Sequence, residues 1–140
     1  MRGALIQAVA IALLAAVPAL LSAVFHPKRP DFSDALKEGE IAVRVASRDA
    51  AQFFWIEARA LHEYAEQHVP GAVPLNEDDW DSLLPAVMQN WPAGKPAVVY
   101  CSARQCDAAR NVARRLREFN TAPVFELKGG WEAWLALRKK

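Results

Sequence analysis

A chain of 140 residues is long enough for one domain with its own hydrophobic core. Its 17 basic and 16 acidic side chains nearly cancel, so charge gives no reason to propose a nucleic-acid partner. Two cysteines without a matching pair of ligands do not make a zinc site, and no metal or cofactor is expected.

Gly3 to Phe25, GALIQAVAIALLAAVPALLSAVF, runs 23 residues without a charge. As a helix it would extend ~34 Å, enough to cross a bilayer core of ~30 Å. Pro18 would kink such a helix without forbidding it. A signal peptide has a shorter apolar core and a small-x-small cleavage site, which VPA at Val17–Ala19 and LSA at Leu21–Ala23 fit poorly. A run apolar on every face also suits lipid better than a small domain's surface. Residues 3–25 are therefore read as a single-pass transmembrane helix, with a removed signal as the rival. Arg2 flanks one end and His26, Lys28 and Arg29 the other. The positive-inside rule therefore leaves both the periplasmic and the cytoplasmic side open for the remainder of the chain.

HPKRPD, residues 26–31, holds two prolines and a charge cluster and reads as a linker to a domain over 32–140. From there short apolar runs alternate with helical patterns. Ile41–Val45 (IAVRV) and Phe53–Ala58 (FFWIEA) are expected strands, and AVPL at Ala72–Leu75 is a short one after the turn HVPGA. WDSLLPAVMQNW has helical spacing, with Pro85 breaking or kinking it. Pro96–Cys101 (PAVVYC) is a buried strand. Asp107–Phe119 places Ala108, Val112, Ala113 and Leu116 on one helical face and exposes the arginines Arg110, Arg114, Arg115 and Arg117. Pro123–Leu127 is a strand, and GGWEAWLALRKK closes the chain as a helix with cations at its C-terminal end. Strands separated by helices imply parallel crossovers and a sheet covered on both faces, with ligands bound beyond the carboxyl ends of the strands.

Cys101 stands at one of those ends. Ser102, Ala103, Arg104, Gln105 and Cys106 then connect the strand to a helix whose first N–H groups have no internal partner. A loop curled before such a helix forms a nest for an anion, and a thiol placed there becomes a better nucleophile as its thiolate is stabilised. The alternative is a small buried hydrophobe that ends a strand.

Three segments resemble the rhodanese-like domain, the single-domain sulfurtransferase family. FFWIEARALHEYAEQHVPGAVPL is similar to the family's strand, D-x-R, E-Y and G-H-I-P-G-A segment. VVYCSARQCDAARNVARRLREF is similar to its strand, six-residue active loop and helix. VFELKGGWEAW is similar to its last strand and G-G-W-x-x-W ending. The resemblance implies a parallel five-stranded sheet flanked by helices on both faces. It also implies a persulfide on Cys101, cradled by the backbone from Ser102 to Cys106, with Arg104 attracting an anionic donor. The implied partners are a small sulfur donor, thiosulfate or a persulfide, and a thiol acceptor or carrier protein.

Glu57, Arg59, Glu63, His68, Gly71, Gly129, Gly130 and Trp131 match structural positions of the family, with Arg59 and Glu63 spaced for an ion pair. Glu57 stands where the family has aspartate, Gln67 precedes His68 where glycine is common, and the loop has no glycine. Cys106 is either a resolving thiol, able to release sulfide from a Cys101 persulfide by forming a disulfide, or a space filler beneath the loop. A phosphatase or arsenate reductase would need an arginine six residues after the nucleophile. Asp107 is there instead and would repel a phosphate. A non-catalytic interaction module at the membrane is the other alternative.

Overall fold

In the computed structural model, which describes residues 35–102, 106–119 and 122–139, every strand is short and every pairing is parallel. The strands are β1 (Glu40–Ile41), β2 (Phe54–Glu57), β3 (Val73–Pro74), β4 (Ala97–Tyr100) and β5 (Val124–Leu127). They lie in the order β1-β5-β4-β2-β3 in one five-stranded sheet. The helices are α1 (Val43–Arg48), α2 (Leu61–Glu66), α3 (Trp80–Asn90), α4 (Cys106–Phe119) and α5 (Gly130–Arg138). Each parallel connection needs a crossover, and a helix lies in each of them.

β2 and β4 occupy the middle of the sheet and are buried along their whole length, as near-continuous apolar strands in a doubly covered sheet should be. Their side chains alternate between two cores. Phe54, Ile56, Ala97, Val99 and Cys101 pack with Trp80 and Val87 of α3 and with Ala109, Val112, Ala113 and Leu116 of α4. Trp55, Val98 and Tyr100 pack on the other face with Ala46 of α1 and with Trp131 and Trp134 of α5. The α/β fold with helices on both faces is thus as expected.

One expected strand is corrected, and of the two readings of Pro85, breaking or kinking its helix, the break is excluded. The strand expected over Ile41–Val45 ends at Ile41, and the rest of that run turns into α1. Ala42 is extended at φ −67° and ψ 136°, and its carbonyl accepts from Val45 and Ala46 N–H. Only Ala46 of α1 is fully buried while Val45 is half exposed, so packing of one helical face overrides the β preference of the valines. Pro85 does not end its helix. α3 runs through it to Asn90, and Pro85 itself lies on the exposed side. Helix α2, between β2 and β3, is a further element that the sequence pattern does not separate.

The proposed anchor over 3–25 and linker over 26–31 lie outside the described residues, among which no helix is long and apolar enough to cross a membrane.

Candidate functional site

Period-two alternation along β4 sends Tyr100 to one core and Cys101 to the other, at the carboxyl edge of the sheet. Cys101 is only 3% exposed. Its thiol donates to Ser102 O at 3.1 Å, and its carbonyl accepts the Trp131 N–H at 2.8 Å. That N–H belongs to the first turn of α5, where no intrahelical acceptor exists, so the helix end is satisfied by the residue that carries the thiol. α4, 14 residues long, starts at Cys106 and brings its own N-terminal turn to the same edge. Ala103, Arg104, Gln105 and the Cys106 side chain, expected to cradle or resolve a bound sulfur, lie outside the described residues.

Cys101 and Ser102 open onto a small cavity of about 40 Å³, whose charged lining is Glu40, Arg110, Glu126 and Lys128. Arg110 Nη1 donates to Asp107 Oδ1 at 2.7 Å, and its Nε lies 3.8 Å from Glu126 Oε2. Lys128 Nζ is 3.9 Å from Glu40 Oε2.

Behind the thiol, on the opposite face, lies a buried polar network. Glu57 is fully buried at the end of β2, and its Oε1 pairs with Arg59 Nε. Arg59 Nη2 donates to Gln67 O at 2.7 Å, and the guanidinium carbon sits 4.6 Å from the centre of the Trp131 ring. The Tyr100 hydroxyl donates to Glu57 Oε2 at 2.5 Å and accepts the Val69 N–H at 2.9 Å. Burial, and next the bond to Glu57, push the Tyr100 hydroxyl pKa well above its ordinary value. The expected Arg59–Glu63 pair exists at 3.8 Å, but Glu57 is the nearer partner.

The family model for the rhodanese-like domain matches residues 39–137. The chain belongs to the rhodanese-like domain family. Similar solved structures include a thiosulfate sulfurtransferase from Pseudomonas aeruginosa, at 23% identity and TM-score 0.60, covering 71% of this chain and 18% of that one. A protein from Bacillus halodurans matches at 21% identity and TM-score 0.60 over 71% of this chain and 72% of its own. A human single-domain sulfurtransferase matches at 17% identity and TM-score 0.53 over 70% of this chain and 96% of its own. At these identities the likeness carries the fold, and this chain spans only 18% of the Pseudomonas protein.

Within the rhodanese-like domain the remaining motif residues are placed by backbone needs. His68 Nδ1 lies 2.8 Å from Tyr64 O, and its ring stacks on Tyr64 with centroids 4.1 Å apart. The Tyr64 hydroxyl, donating to Ala72 O at 2.9 Å, ties α2 to the turn before β3. Gly71 at φ +80° and Gly129 at φ +75° hold left-handed turns. Trp131 lies over Tyr100 and Trp134 meets Trp55, so both serve as packing residues of the second core.

Sequence reasoning missed Tyr100, Glu40, Glu126 and Lys128. For Glu126 a signal existed, because it interrupts an otherwise apolar strand, VFEL, at the position that faces the thiol side. Tyr100 was hidden because a tyrosine in an apolar run reads as core, and only the fold shows what its hydroxyl touches.

Proposed function

We propose that this rhodanese-like domain is a sulfurtransferase that carries sulfane sulfur as a persulfide on Cys101 and passes it to a thiol acceptor. The observation that carries this reading is the placement of Cys101: a thiol at the carboxyl end of the central strand β4, opening onto a small cavity and followed by the N-terminus of α4. The Cys101 thiolate attacks the outer sulfur of a donor R–S–SH. The donor's S–S bond breaks, a new S–S bond forms on Cys101, and the electron pair leaves on R–S⁻, which takes a proton from water. In the second step an acceptor thiolate attacks that outer sulfur and returns Cys101 as thiolate. The cavity has room for the transferred sulfur. The chain's own groups suffice for this exchange, and residues 3–25 anchor the domain in a membrane.

The low exposure of Cys101 favours the rival reading, a non-catalytic docking module. Incubation of the 140-residue chain with thiosulfate or cysteine persulfide, with peptide mass spectrometry as the readout, separates the two. The expected result is one added sulfur on Cys101, discharged as thiocyanate by cyanide and lost in Cys101→Ser. No adduct with either donor would sink the sulfurtransferase reading. In the same assay, Cys106→Ser loading Cys101 yet failing to release sulfide would make Cys106 the resolving thiol.

A further inference from the structure

The two carboxylates that share the Cys101 cavity have no part in the sulfur exchange at the thiol. Glu40 on β1 is the register partner of Glu126 on β5, and Val99 on β4 lies opposite Glu126 in turn. Val99 and Cys101 are two residues apart and so face the same way. Glu40, Glu126 and the thiol therefore meet on one face of the sheet and line one cavity. Like charges side by side across a strand pair are unfavourable unless cations are shared between them. Here Lys128 approaches Glu40 at 3.9 Å, while Arg110 at 3.8 Å and Arg117 at 3.4 Å approach Glu126. The carboxylates sit deeper than their cations. The Glu126 side chain is 14% exposed and Glu40 17%, against 50% for Arg110 and 27% for Lys128. Arg110 is also bound to Asp107. The cations of this wall are thus engaged by carboxylates, and its least exposed charges are negative.

We propose that Glu40 and Glu126 set donor choice at Cys101, repelling a small dianion such as thiosulfate and admitting a persulfide. This rests on, and deepens, the sulfurtransferase reading. When a thiolate attacks thiosulfate, the outer S–S bond breaks and its electron pair leaves on sulfite, so three negative charges gather beside the two carboxylates. Attack on R–S–SH gathers one, carried away on R–S⁻. Removing one carboxylate charge from this wall weakens its repulsion of a dianion and, after screening by salt, should change the rate roughly tenfold.

The test measures the rate at which thiosulfate and cysteine persulfide load Cys101 in the whole chain, across a salt series, in the native protein and in Glu126→Gln and Glu40→Gln. Thiosulfate loading is expected to accelerate with added salt and to rise roughly tenfold in Glu126→Gln, while persulfide loading stays within about twofold. If Glu126→Gln does not fold, Glu40→Gln reads the same sign. A second readout needs no sulfur transfer: alkylation of Cys101 by anionic iodoacetate against neutral iodoacetamide, mapped by peptide. The folded chain should disfavour iodoacetate more than the urea-unfolded chain does, with the bias narrowing in both variants. Equal bias in folded and unfolded chains, or thiosulfate loading that slows with salt, overturns the proposal. Failure of both donors to load Cys101 overturns the sulfurtransferase reading itself, and the alkylation bias tells that outcome apart from a failure of the charge argument.

Discussion

Tyr100 is the residue on which the two faces of the sheet turn. Its neighbour carries the thiol on one side, while its own hydroxyl closes a buried network of Glu57 and the Val69 amide on the other. The neutral hydroxyl is the form this environment holds, so folding raises its pKa above the ordinary ~10. The folded chain then keeps a proton that the unfolded chain releases. The corresponding stability is fully present below about pH 10 and is lost as pH rises beyond it. Tyr64, also raised by burial and by Glu57, adds to the same slope. Urea unfolding from about pH 8 to about pH 11 should show a steep alkaline loss in the native chain and a shallower one in Tyr100→Phe. At neutral pH that variant should be less stable by ~1–3 kcal/mol, because the Val69 N–H and Glu57 Oε2 both lose a partner. An unchanged alkaline slope would show that Tyr100 titrates alike in both states. This hydroxyl was invisible to pattern reading. Cys101, by contrast, was legible, since its position at the end of an apolar strand before a helix is a local feature of sequence.

At the scale of elements, the turn into α5 decides how firmly the thiol-bearing residue is held. Gly129 and Gly71 both adopt left-handed backbone, yet their surroundings differ. A Cβ on Gly129 would lie 2.8 Å from Ala133 Cβ, whereas one on Gly71 meets nothing within 4 Å. Gly71→Ala should therefore cost only the backbone term, ~1–2 kcal/mol. Gly129→Ala should cost more, and it should also slow loading of Cys101, since α5 must shift and Trp131 N–H donates to Cys101 O. Equal melting temperatures and equal loading rates in the two variants would contradict this. The helical and strand periods of β2, β4, β5, α4 and α5 could be read directly, because each buries one clear face or a whole strand. α1 could not. Its valines favour a strand locally, and only the docking of Ala46 against the second core selects a helix.

For the whole molecule, the sequence showed strands alternating with helices and hence a parallel, doubly covered sheet, but not the strand order. That order depends on pairings between distant segments, which no local pattern encodes. The proposed anchor is tested at this scale. The native chain should sediment with membranes and resist extraction by salt, and deletion of residues 3–25 should move it to the soluble fraction with Cys101 loading retained. A native chain found in the soluble fraction would overturn the anchor.

The strand order has a consequence for timing. Among the described residues β1 has a single neighbour, β5, and β5 is the furthest of the five strands from it in chain order. The cavity at Cys101 draws one wall from β1, through Glu40, and another from the β5–α5 turn. Both walls therefore wait on a pairing between segments far apart in the chain, and such pairings form slowly because the long loop between them must close first. The enclosure of the thiol is thus conferred only when β1 and β5 find each other.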